Sequence, residues 1–148
     1  RACEELGAER AINYRNEDFV AVVKEVTGGA GANVVLDMIG GDYVTRNLNV
    51  LATEGRLVQI AVQHGTKAEV IVHLIMAKRI TFTGSLLRPR PVADKGAIAT
   101  ALRERAWPLI EAGKVAPLIH ATFALEKSAD AHALMDSGAH MGKIVLTV

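Results

Sequence analysis

"NVVLDMIGGD", residues 33–42, is the stretch on which the fold turns. Residues 33–38 are apolar nearly throughout, the pattern of a strand covered on both faces in a parallel sheet. Asp37 closes the run, and Gly40 and Gly41 follow it. Ligands of open parallel sheets gather outside the carboxyl ends of the strands, where twin glycines let a backbone approach closely. The same glycines serve equally well to turn the chain into the next helix. Asp37 is either an ordinary turn acceptor or a group with a direct chemical role.

Working outward, strand and helix patterns alternate. Upstream, residues 11–14 read as a short strand. Asn16 then reads as the cap of a helix whose Phe19, Val22, Val23 and Val26 fall at i, i+3, i+4 and i+7. Glu17 and Asp18 suit its positive first turn, and Gly28 and Gly29 end it. Downstream, a helix from Tyr43 carries Val44, Leu48 and Leu51 on one stripe until Gly55. Residues 56–61 form the next strand, Ile71, Leu74 and Ile75 mark a helix, and residues 80–84 make a further strand. The period switches between 2 and 3.6 each time, which predicts an α/β fold with a parallel, doubly wound sheet and crossover helices.

After residue 88 the character changes. Arg88, Pro89, Arg90 and Pro91 make a stiff connector to a long helix in which Ile98, Ala101, Leu102 and Leu109 share a face. Pro108 is expected to bend it near Trp107, and Gly113 to end it. Residues 119–125 suit a strand, 127–137 a helix and 142–148 a final strand. The boundary between the two parts is placed near residue 115.

With 148 residues, half of them apolar, the chain is long enough to bury a real core. Seventeen Lys and Arg against 16 Asp and Glu give no electrostatic case for nucleic acid or an anionic membrane as partner, so small-molecule chemistry is the expectation. The single cysteine, Cys3, excludes an internal disulfide framework and fits a reducing, cytoplasmic setting. No stretch approaches the roughly 18 uninterrupted apolar residues of a membrane span. No cleavable leader is visible, and the chain opens at Arg1 in what reads as the middle of a helix stopped by Gly7, so an upstream segment is expected.

Motif searches return little. Residues 29–32, Gly-Ala-Gly-Ala, follow a helix and open a strand, the reverse of a dinucleotide fingerprint, and read as a helix stop. His64, His73, His120, His132 and His140 are scattered, so no metal-ligand spacing assembles. There is no Walker loop and no G-x-S-x-G elbow. Glu126, Asp130 and Asp136 read as the wet face of a helix, with His132 a surface residue beside them. No local acid, base or nucleophile stands out, and no catalytic residue is assigned.

Several segments together carry a resemblance. "LGAERAINYRNEDF" from Leu6, "GANVVLDMIGGDYV" from Gly31, "EGRLVQIA" from Glu54, "ITFTGSLLRPR" from Ile80 and "HMGKIVLTV" from His140 resemble successive parts of the zeta-crystallin-like quinone oxidoreductases of the medium-chain dehydrogenase/reductase superfamily. The resemblance covers essentially the whole chain. It implies a partial Rossmann-type sheet lacking its first two strands over residues 1–115, and a strand-helix-strand segment over 116–148 that returns to a catalytic domain. The glycine-rich pyrophosphate loop and nearly all of the substrate domain would then lie upstream. In strand order 3-2-1-4-5-6 the two absent strands fall between the strands at residues 11–14 and 33–38. The resulting gap implies either direct pairing of those two strands or association between chains.

The resemblance also implies the cofactor, NADPH with NADH possible, and no zinc. Tyr14 would lie by the adenosine end and its 2′-phosphate, or else simply pack at a strand end. Ile39, Gly40 and Gly41 would pass along the cofactor's ribose region, making the dinucleotide the bulky neighbour of the twin glycines. Ile60 and Ala61 would lie near the nicotinamide ribose, and Gly84, Ser85, Leu86 and Leu87 would contact the nicotinamide, although Ser85 also suits a plain turn hydroxyl. Lys143 would reach the cofactor or remain solvated. Such an enzyme needs no protein nucleophile, because the reduced nicotinamide carries the hydride. The implied reaction of the intact parent is reduction of a quinone or related electron-poor alkene, with the isolated chain inactive and a homo-oligomer built on the edge strand at residues 80–84. An enoyl or alkenal reductase of the same superfamily and a noncatalytic interaction module with a Rossmann-like fold stand as alternatives.

Overall fold

In the computed structural model, which describes Arg1–Val148, the opening stretch forms strand β1 (Ala32–Asp37). It pairs in parallel with β2 (Leu51–Gln59), which pairs in parallel with β3 (Thr81–Gly84), giving a sheet of order β1-β2-β3. Val35, Leu57 and Phe82 stand in one row of this register, and Asp37, Gln59 and Gly84 in another at the carboxyl end. Helices α1 (Ala2–Glu5) and α2 (Phe19–Val26) precede the sheet, while α3 (Tyr43–Val50) and α4 (Val72–Lys78) connect its strands. Val44 and Leu48 of α3 pack with Leu51, Leu57 and Ile80, and Val35, Val70, Leu74 and Ile75 surround them. This is the core of the first of two units, Arg1–Pro89.

Lys78 ties the connecting helices together. Its ammonium donates to the carbonyls of Leu48, Asn49 and Leu51 at 3.1, 2.8 and 2.7 Å. The Leu48 and Asn49 carbonyls lie in the last turn of α3, where no intrahelical donor reaches them, and Leu51 opens β2, so a cation there satisfies the helix end and complements its dipole. Burial, and then the neighbouring Lys24, pull the pKa of this ammonium below its ordinary value.

Four expectations need correction. Residues 11–14 are not a strand: with no neighbouring strand to bond to, their backbone turns to side chains, Ala11 N donating to Glu4 and Asn13 N to Glu17. The cap of α2 is Asp18 rather than Asn16, its carboxylate accepting from Val20 N at 3.2 Å. β1 is covered on one face only, since Val34 and Leu36 are 58 and 61 % exposed on the other. Gly55 does not end a helix. α3 stops at Val50, Leu51 already belongs to β2, and Gly55 lies in an irregular stretch where the pairing jumps from Ala32 with Leu51 to Val34 with Arg56.

The second unit, Arg90–Val148, contains α5 (Val92–Arg105), α6 (Trp107–Glu111), β4 (Ile119–Ala124), a 3-10 turn (Leu125–Lys127), α7 (Ser128–Ser137) and β5 (Lys143–Thr147). The long helix breaks at Ala106 with Pro108 in the first turn of α6. β4 and β5 pair in parallel, and α7 connects them with Ala131 buried. No helix of the chain is long and apolar enough to cross a membrane.

Candidate functional site

The carboxyl ends of β1, β2 and β3 are knitted together by short polar links. Asp37, 3 % exposed, ends β1, and its carboxylate accepts from Ile39 N at 2.6 Å and Gly40 N at 3.3 Å. This is an Asx turn, so Asp37 is consumed as a turn acceptor. Beside it, Ile60 N donates to Asp37 O at 2.8 Å and Ser85 N to Gln59 O at 3.0 Å. The Gln59 amide donates to Ala61 O at 2.6 Å and Asp37 O at 3.3 Å, and its oxygen is buried without a partner.

The twin glycines have a neighbour that sequence reading did not supply. The loop after β2 folds back over the β1 turn: Gln63 N donates to Met38 O, His64 N to Ile39 O, and Gly41 N to Gly65 O. Gly40 and Gly41 have φ of 73 and 56°, and a Cβ would stand 2.8 Å from Gly65 O at the first and 2.9 Å from His64 O at the second. Protein backbone alone therefore demands glycine at both positions. The need for close approach was legible in the pair; the identity of what approaches was not.

Tyr14 stands 67 % exposed in the turn before α2 and lines two hollows. One, of about 420 Å³, lies between Tyr14, Ile39, Tyr43, Gln63 and His64. The other, of about 340 Å³, runs among Ile12, Tyr14, Leu36, Ile39, Tyr43 and Asn47. One wall is braced by a stack: Phe19 lies on Tyr43 at 5.6 Å between ring centres, and the Arg46 guanidinium lies 4.3 Å from the Phe19 centre and 5.1 Å from that of Tyr43. Arg46 also donates to Asp18 at 2.9 Å. That bond, followed by the one from Val20 N, holds the Asp18 carboxyl below its usual range.

The structure thus brings Tyr14 and Ile39 onto shared hollows, with Gly40 and Gly41 buried in the turn beyond Ile39. Ile60, Ala61, Gly84 and Ser85 gather around Gln59 at the ends of the next strands, and Leu86 and Leu87 continue outward, exposed. Lys143 belongs to the second unit, where its backbone N donates to Leu118 O and its side chain is exposed. Sequence reading missed Arg46, Asn47, Gln59 and His64. Asn47 carried a signal: it is polar yet lies three residues from Val44 on the apolar stripe of α3.

A parallel sheet with crossover helices, whose glycine turns and hollows collect at the carboxyl ends of the strands, defines the Rossmann-type class of nucleotide-binding folds. Residues 6–146 match the family model described as zinc-binding dehydrogenase, and the chain belongs to that family, in the medium-chain dehydrogenase/reductase superfamily of oxidoreductases. It is 30 % identical over 142 residues to quinone oxidoreductase-like protein 2 of Bos taurus, covering 96 % of this chain and 40 % of that protein. It is also 30 % identical over 151 residues to a 2-haloacrylate reductase of Burkholderia sp, covering 95 % of this chain and 42 % of the reductase. The crystal structure of an NAD-dependent alcohol dehydrogenase superposes with a TM-score of 0.75 at 27 % identity, over 99 % of this chain and 40 % of the other. The chain therefore spans about 40 % of the length of these relatives. No three His, Cys, Asp or Glu side chains of this chain group closely enough to hold a metal ion.

Proposed function

We propose that this chain is the cofactor-domain part of an oxidoreductase that delivers hydride from NADPH to a quinone or a related electron-poor acceptor. The observation that carries the reading is the linked row Asp37, Gln59 and Gly84, which sets the Tyr14–Ile39 hollows and the exposed Gly84–Leu87 turn at one end of a single sheet. An extended dinucleotide laid across those strand ends has the adenosine at Tyr14 and Ile39. Its ribose region passes Gly40 and Gly41, with Ile60 and Ala61 by the nicotinamide ribose and Gly84, Ser85, Leu86 and Leu87 at the nicotinamide. The Gln59 oxygen, buried and without a partner, stands at the end of β2 in that row. When bound, the reduced nicotinamide supplies the hydride, and the chain contributes position and exclusion of water rather than a nucleophile.

Calorimetric titration of the intact parent, which carries the upstream segment, with NADPH and NADH tests the reading. Binding that is weakened by Tyr14→Ala and by Ser85→Val, without change of fold, supports it; titrations that show no heat for either nucleotide and no shift in melting temperature refute it. Alone, the chain is expected to oxidise no NADPH in the presence of a quinone. The similarity to a reductase of 2-haloacrylate favours a second acceptor class, electron-poor alkenes. Assay of the intact parent with a benzoquinone and with a 2-haloacrylate separates the two.

A further inference from the structure

We propose that Gln59 is a positioning residue for hydride delivery: its side-chain amide fixes the turn after β2 in place, at the expense of stability. The proposal rests on the assignment of Ile60 and Ala61 to the nicotinamide ribose. Gln59 closes β2 in the row Asp37, Gln59 and Gly84, and its amide nitrogen donates to Ala61 O at 2.6 Å and to Asp37 O at 3.3 Å. One nitrogen thereby joins the residue that ends β1 to the turn that leaves β2. The backbone carbonyl of Gln59 accepts from Ser85 N at 3.0 Å, which brings in the turn after β3. Gly84 lies so close that a Cβ there would stand 3.2 Å from the same carbonyl oxygen.

The other half of the amide adds nothing to stability. Its Oε1 is buried and has no hydrogen-bond partner. Burying an acceptor unmet is at least as unfavourable as a made hydrogen bond is favourable, and nearly all buried polar groups of folded proteins are satisfied. An apolar side chain of the same length would relieve that penalty, and Asp37 O would keep its bond from Ile60 N at 2.8 Å. A side chain that serves stability poorly while setting the geometry of a turn belongs where position matters more than stability. Backbone bonds from Gln63 and His64 to Met38 and Ile39 hold the later part of the loop, and the amide secures its first step at Ala61. Hydride transfer is sensitive to such a step, because a displacement of about 1 Å can lower a rate roughly a hundredfold.

The test is steady-state kinetics of the intact parent with NADPH and either a benzoquinone or a 2-haloacrylate, for the unsubstituted protein, Gln59→Met and Gln59→Glu. Gln59→Met keeps the length and the apolar stem without the amide. Its melting temperature is expected to equal or exceed that of the unsubstituted protein. Its kcat is expected to fall roughly tenfold with both acceptors, while KM for NADPH changes by less than about twofold, since most of the dinucleotide is held elsewhere. Gln59→Glu keeps the shape but turns an oxygen on the carbonyls of Ala61 and Asp37, and is expected to lose rate and stability together. Hydrogen exchange at the Gln63 amide, which reads the turn without turnover, is expected to quicken in Gln59→Met. An unchanged kcat in Gln59→Met, or a loss of rate matched by a loss of melting temperature, overturns the proposal and leaves Gln59 a structural residue. Unchanged exchange at Gln63 overturns it while the cofactor reading stands. An intact parent that oxidises NADPH with neither acceptor removes both.

Discussion

Gly40 and Asp18 show how single residues act here. Alanine at Gly40 places a Cβ 2.8 Å from Gly65 O on a backbone with φ of 73°, so the turn or the loop must move. Gly40→Ala is expected to lower stability by about 1–3 kcal/mol in urea denaturation, and to weaken NADPH binding further. Asp18 acts through charge. Its folded pKa is depressed from 3.8 by the bond from Arg46, so its stabilisation is complete above that value and is lost as pH falls through the lower folded one. Melting temperatures of the parent chain and Asp18→Asn, followed by circular dichroism, should therefore differ most at neutral pH and converge towards pH 2. Both partners are largely exposed, so the difference is small. The residue patterns announced a glycine requirement and acids at the start of α2, although Asp18 is the cap, Glu17 precedes it and the first turn itself holds no acid. They did not announce Gly65 or Arg46, because both lie far along the chain from the groups they touch.

Elements form where their hydrogen-bonding groups find partners. Residues 11–14 have strand-like composition but no strand beside them, and they become a turn held by Glu4 and Glu17. β1 has the same kind of composition and becomes a strand because β2 pairs with it. At the end of α3, Lys78 supplies the missing donors. Lys78→Met keeps most of the apolar stem while removing the ammonium, and is expected to cost about 1–3 kcal/mol in chemical denaturation. Leu57→Ala, in the fully buried centre of β2, should cost about 2–5 kcal/mol in the same experiment. If Lys78→Met leaves stability unchanged, the cap is ornamental and α3 is held by Val44 and Leu48 alone.

Taken whole, the first unit presents a sheet with both edge strands unpaired on their outer sides and one apolar face open at Val34 and Leu36. Such a surface favours association. Light scattering across a concentration series is expected to show the chain self-associating, and Leu36→Lys to reduce that association; a monomer at every concentration, with β1 amides protected from exchange, contradicts the expectation. Strand-helix alternation, the stop at Gly28, the need for glycine after Asp37 and the parallel sheet were all legible in the sequence, because periodicity, capping and backbone freedom are local properties. Which face of β1 stays open, why residues 11–14 are not a strand, what presses on Gly40 and Gly41, and which polar side chains are left without partners were decided by the tertiary structure. Each of these depends on groups distant in sequence meeting in space, and strand pairing and loop packing leave no local signature of the partner.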